Sequence, residues 1–160
     1  MFRPNEFRGG RVEPYDPPLA RFGENAAWFR FTSDRFDHTS ELPRDVNAGN
    51  RFYGRDVAEF ITAGLTERGL DGSFIDEDWG WQAHAKRPDD TVLEISIYHN
   101  PDEDHDAEND WVLMVRSLSK ERILGIVPRF RETKVDSEAV ATLDDVFEDA
   151  RIVLTRTTPR

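Results

Sequence analysis

Between Trp79 and Leu118, apolar side chains recur on every second residue in three separate stretches: Trp79, Trp81, Ala83; Leu93, Ile95, Ile97; Trp111, Leu113, Val115. A period of two puts those side chains on one face of a pleated strand, and a helix cannot satisfy it. Three such stretches in succession call for a mainly antiparallel sheet with one buried face. The expected strands are Ser73–Ala85, Thr91–His99 and Trp111–Leu118. Lys86-Arg87-Pro88-Asp89-Asp90 supplies turn chemistry for the first connection. A connection of odd length sets Trp81 opposite Ile95 and Trp79 opposite Ile97, so the apolar faces coincide. An even length sets Trp81 opposite Ser96 and splits the core, because a one-residue slip flips every side chain. The odd length is therefore expected.

Helical spacing appears at two places. Val57, Ala58, Ile61 and Leu65 recur at three- and four-residue steps and predict a helix near Gly54–Arg68, with Phe60 at the edge of its stripe. Gly69 follows as a left-handed cap. Gly64 inside this helix costs about 1 kcal/mol relative to Ala, for which either close packing or simple tolerance is the explanation. Val140, Leu143, Val146 and Phe147 predict a second helix over Ser137–Glu148, capped by Asp136 or Ser137. Ala26–Thr32 alternates, with Phe29 and Phe31 on one side, and reads as a first strand. Residues 33–50 read as a long loop. In 119–135, ILGIV reads either as a short strand or as a buried turn, and Pro128 ends it. Arg151–Thr157 is rich in Ile, Val and Thr and reads as a last strand. The resulting order is β-α-β-β-β-α-β. The expected fold class is an α+β two-layer sandwich with both helices on the Trp79/Trp81 face, a split-βαβ-like arrangement.

Charge and composition narrow the function. The chain has 160 residues, no cysteine, and 21 Lys plus Arg against 32 Asp plus Glu, a net charge of −11. That length suits one domain, here 25–160, preceded by a Pro-, Gly- and charge-rich segment, 1–24, read as an extended or disordered arm that Phe2, Phe7, Tyr15 and Phe22 could tack onto the body. Without cysteine there is no disulfide, thiolate metal site or cysteine nucleophile. A net acidic chain is a poor non-specific binder of nucleic acid or of an anionic membrane. No apolar run approaches the ~18 residues of a membrane span, and the N-terminus lacks the apolar stretch of a signal peptide. These features read as a cytoplasmic protein.

Gly54-Arg55-Asp56, Arg68-Gly69 and Glu77-Asp78-Trp79-Gly80-Trp81 resemble a family of small bacterial proteins that carry a glycine-punctuated helix followed by a strand with an acidic DWGW segment. The resemblance covers about residues 50–118. It implies no activity, so no residue role carries over from it.

The candidate working residues are acidic. Asp76, Glu77 and Asp78 adjoin Trp79, and carboxylates against an apolar wall can act as an acid and base pair. On a continuous strand, Asp76 and Asp78 share the outer face and Glu77 lies with the tryptophans. Solvation of Asp76 and Asp78 around a tryptophan core is the favoured reading. Between His99 and Asp110, the acids Asp102, Glu103, Asp104, Asp106, Glu108 and Asp110 alternate with neutral residues and two histidines. The Asp-x-Asp-x-Asp spacing begins like an EF-hand, but Ala107 stands where Gly is needed and Leu113 where the bidentate Glu is needed. His99, His105 and a carboxylate could suit a transition metal. A solvated acidic loop outweighs both metal readings, and no cofactor is implied. His84 lies on the outer face beside Gln82.

Three functions compete. The first is an acidic interaction protein of immunity-protein, antitoxin or adaptor type. It would bind a basic partner through Asp76, Asp78, Asp102, Glu103, Asp104, Asp106, Glu108 and Asp110, since complementary fields speed association. The second is a small hydrolase or isomerase using the carboxylates near Trp79, or His84. The third is a metal-dependent regulator using residues 99–110. The first is preferred, because no nucleophile elbow or phosphate-cradling loop accompanies the acids.

Overall fold

The alternation in the middle of the chain becomes one seven-stranded antiparallel sheet in the computed structural model, which describes residues 24–99 and 108–158. The strands are β1 (Ala27–Thr32), β2 (Asp71–Glu77), β3 (Gly80–Lys86), β4 (Val92–His99), β5 (Asp110–Ile123), β6 (Val127–Thr133) and β7 (Thr155–Thr157). Helix α1 (Arg55–Glu67) lies between β1 and β2, and α2 (Ser137–Asp149) between β6 and β7. The spatial order is β2-β3-β4-β5-β1-β7. Strand β6 pairs with the far half of β5, end to end with β1 along the same edge.

The fold is the expected α+β sandwich. Ala27, Phe29 and Phe31 of β1, Trp81, Ala83 and Ala85 of β3, Leu93, Ile95 and Ile97 of β4, and Trp111, Leu113 and Val115 of β5 form one buried face. Both helices lie on it. Val57, Ile61 and Leu65 of α1 and Leu143, Val146 and Phe147 of α2 complete the core. Each of these large side chains contributes about 1.5–3 kcal/mol through burial. The two layers are keyed by aromatic rings: Phe147 meets Phe31 at 4.9 Å and Phe60 at 5.2 Å between centroids. Asp136 caps α2, accepting the Ala139 N–H at 2.8 Å, and Gly69 ends α1 at φ +87°.

Four expectations are corrected. Ser73–Ala85 is not one strand but a hairpin, β2 and β3, turned by Asp78-Trp79. The turn resets the alternation. Asp76, not Glu77, stands opposite Trp81 on the helix side. Trp79 leaves the core and meets Tyr98 at 5.8 Å. Secondly, the β3–β4 connection has the expected odd length and keeps both apolar faces together, but Trp81 pairs with Ile97, two residues from Ile95. The backbone N–H of Arg87 donates to the Thr91 carbonyl at 2.8 Å, which moves the loop on by one residue.

Thirdly, ILGIV is neither a strand nor buried. Strand β5 runs on to Ile123, Leu124 and Gly125 turn at φ +54° and +71°, and Pro128 sits inside β6. Proline is tolerated there because β6 is an edge strand and lacks one neighbour that would need its N–H. Fourthly, only Thr155–Thr157 of the last expected strand pairs, against β1. Almost all of the arm expected over 1–24 lies outside the described residues.

Candidate acidic interaction surface

Three connections from distant parts of the chain meet at one end of the sheet. Strand β1 ends at Thr32 beside Asp110, the first residue of β5, and β4 ends at His99 beside Trp111. The 33–54 loop, the Asp78-Trp79 turn and the β4–β5 connection therefore share that end. The Ser33 N–H donates to the Asn109 carbonyl at 3.0 Å, and Asn109 donates to Asp34 at 2.8 Å.

Asn47 organises this end. It is fully buried. Its amide donates to the Asp76 carboxylate at 2.5 Å and to the carbonyls of Glu77 at 3.0 Å and Gly80 at 2.8 Å. Its side-chain oxygen accepts the Phe52 N–H at 2.7 Å, and its own N–H donates to Asp76 at 3.1 Å. Asn50 donates to the Asp78 carbonyl at 2.6 Å, and the Trp81 indole donates to the Phe52 carbonyl at 3.0 Å. The backbone folds tightly to do this: Asn47, Ala48 and Arg51 all have positive φ, at 51°, 53° and 60°. Such strain persists only where surrounding contacts over-determine it. Here those contacts are the hydrogen bonds that tie the loop to the β2–β3 hairpin.

The expected site residues separate. Asp78 is exposed at the turn. Asp76 is exposed too, but its carboxylate is committed to Asn47. Glu108 is exposed, and its carbonyl accepts from His99 Nε2 at 2.6 Å. Asp110 is withdrawn: it is 1% exposed and faces Arg30 Nε at 3.3 Å. Asp102, Glu103, Asp104 and Asp106, with His105, lie outside the described residues.

Other carboxylates, missed by sequence reasoning, join Asp78 and Glu108. Asp34, Asp37, Glu41 and Asp45 are exposed on the 33–54 loop. The N–H groups of Ser40 and Thr39 hold the Asp37 carboxyl below its ordinary range. In 33–53, 76–80 and 108–109 there are eight acids (Asp34, Asp37, Glu41, Asp45, Asp76, Glu77, Asp78, Glu108) and three arginines (Arg35, Arg44, Arg51), so 3 − 8 = −5. The only available signal was Asn-Ala-Gly-Asn, residue types that tolerate left-handed backbone and so mark a tight loop.

The sheet face away from the helices carries a second polar group. His84, Glu94 and Arg116 are direct cross-strand neighbours on β3, β4 and β5. Glu94 Oε2 lies 3.8 Å from His84 Nε2, and its other oxygen accepts from Arg116. Gln82 donates to Ser96 Oγ at 3.2 Å in the next row. Burial pushes the Tyr98 hydroxyl above the ordinary phenol range. This row crosses the sheet face from β3 through β4 to β5.

Among the described residues, no three His, Asp or Glu side chains are grouped to hold a metal ion, and no helix is long and apolar enough to cross a membrane. Comparison of the chain with protein-family models, with curated proteins and with solved structures gave no match.

Proposed function

We propose that this chain is an acidic interaction protein that binds a basic protein partner with the loop end of its sheet. One observation carries the reading. Three sequence-distant connections converge there with a net charge of −5 in their described residues. Such a field raises the encounter rate with a basic partner and weakens with salt. The Asn47 clamp supports binding rather than catalysis at Asp76, because its hydrogen bonds commit that carboxylate to holding the loop on the hairpin.

The test is affinity capture by the wild-type protein and by the variant Glu41→Gln, Asp45→Asn, Asp78→Asn, each at low and high salt. The expected result is a basic protein retained at low salt by wild type and depleted with the variant. Equal retention by both would remove this end from the interface. The same substitutions leave stability within about 0.5 kcal/mol, because all three side chains are exposed.

A further inference from the structure

At the opposite end, β5 and β6 form a two-stranded arm that leaves the sheet. The last β4 partner of β5 is Leu118, so residues 119–131 have only each other as strand neighbours. The arm's tip is apolar and open to solvent: Leu124 is 90% exposed and Ile126 82%, with Ile123, Val127 and Phe130 also exposed. Contiguous exposed apolar surface of this kind marks an interaction site. The arm is also basic in an acidic chain. Residues 119–134 hold Lys120, Arg122, Arg129, Arg131 and Lys134 against Glu121 and Glu132, 5 − 2 = +3, while the rest of the chain sums to −11 − 3 = −14.

A groove of about 620 Å³ opens at the arm's root. Val135, Val140 and Ala141 supply its apolar wall, with Asp136, Asp144 and Arg156 among its polar lining. Asp136 is already paired with Arg87 at 2.6 Å, whereas Asp144 has no ion-pair partner among the described residues. Burial, and the neighbouring Asp145, push the Asp144 carboxyl up, so a cation brought beside it would be welcome. The groove and the arm's Ile123, Val127 and Arg129 belong to the helix side of the sheet, since they share the alternation of Leu113 and Val115.

We propose that this groove and arm form a reciprocal interface between two copies of the chain, each apolar tip seated in the other's groove with Arg129 toward Asp144. The lengths agree. From Val127 to Thr133 the arm spans about 20 Å at roughly 3.4 Å per residue. Two arms packed antiparallel about a two-fold axis therefore place each tip at the other's root. Such an interface is isologous and closed. Simple edge-to-edge strand addition is disfavoured, because Pro128 lacks an N–H to donate and five arginines and lysines line the arm. The interface leaves the acidic loop end free and does not depend on its role.

Sedimentation velocity from about 1 to about 200 μM tests this, because dimer formation follows mass action. Wild type is expected to pass from monomer to dimer. The variant Leu124→Asp, Ile126→Asp changes only exposed tip residues and should keep its circular dichroism and melting temperature, yet dimerise at least about tenfold more weakly. Arg129→Asp and Asp144→Arg should each be monomeric alone. Mixed in equal amounts they should recover the dimer, because each interface then joins opposite charges. Wild type that stays monomeric throughout, a tip variant that still dimerises, or a mixture that fails to recover would each overturn the proposal. A monomeric wild type that co-sediments with phosphatidylserine vesicles, and loses this in the tip variant, would assign the tip to a lipid surface instead.

Discussion

Asn47 satisfies five groups at once: the Asp76 carboxylate, the carbonyls of Glu77 and Gly80, the N–H of Phe52, and its own N–H. Replacing it by Ala leaves the Gly80 carbonyl unpaired in a buried place and the Glu77 carbonyl and Phe52 N–H unpaired in half-buried ones, at up to about 1–3 kcal/mol for each group. Asn47→Ala should therefore lower the urea midpoint by an amount equivalent to at least about 2 kcal/mol. Asn47→Gly, which relieves the positive φ of 51° but removes the amide, should fare little better, because the side-chain amide makes the bonds to the Glu77 and Gly80 carbonyls and the Phe52 N–H. Gly64 presents the opposite case. A Cβ there would lie 2.5 Å from Val146 Cγ1, so α1 and α2 meet through the missing side chain. Gly64→Ala gains about 1 kcal/mol of helix propensity and loses about 1–3 to overpacking, so net destabilisation is expected in chemical denaturation. Of the two explanations that the sequence left open for Gly64, close packing is the operative one.

At the scale of elements, Trp81 joins the layers. It is 6% exposed, its ring lies 3.4 Å from where a Gly54 Cβ would stand, and its indole N–H is bonded to Phe52. Trp81→Ala should cost about 3–5 kcal/mol, measured by denaturant titration. The start of α2 adds a pH dependence. Arg87 first, and then the Ala139 N–H, hold the Asp136 carboxyl below its ordinary value of 3.8. A carboxyl with a depressed folded-state pKa contributes stability that is complete above its unfolded value and fades as pH falls through the folded one. The cap therefore works fully at neutral pH and is lost on acidification below about pH 4. Asp136→Asn keeps a capping oxygen but loses the charge beside Arg87. It should reduce stability at pH 7 and flatten the acid limb of a melting-temperature profile. An unchanged acid limb would show that Asp136 does not contribute there.

The second strand illustrates what the linear pattern hides. Residues 73–85 alternate well enough to pass as one strand. Two residues, Asp78 and Trp79, turn the chain back, and every assignment before them changes face. Asp76 moves to the helix side and Trp79 out of the core. Gly80, at φ +147°, is the residue that permits the turn, but an isolated glycine in an alternating run is equally the mark of a bulge.

Over the whole molecule the charge is polarised. The acidic loop end and the basic arm lie at opposite ends of β5, a strand of 14 residues and so about 45 Å long. That is several Debye lengths at physiological salt, so the two fields act separately. A net charge of −11 describes neither end. Substitutions at Glu41, Asp45 and Asp78 should therefore leave self-association unchanged, and substitutions at Leu124 and Ile126 should leave salt-dependent partner binding unchanged. Sedimentation and stopped-flow association, run on both variants, separate the two surfaces.

The sequence by itself determined the α+β class, the buried face of four strands apart from Trp79, and both helices, and it narrowed the cap of α2 to Asp136 or Ser137. Each depends on a local period or on a residue three positions away, and local geometry is the same wherever the chain lies in space. Tertiary structure alone decided the rest. It paired Asp110 with Arg30, turned Asp76 toward Asn47, brought Asp34, Asp45, Asp78 and Glu108 to one end, and left the β5–β6 arm without a second layer. Those outcomes join residues up to about eighty positions apart, and such neighbours are chosen by strand order and register, which no local pattern encodes.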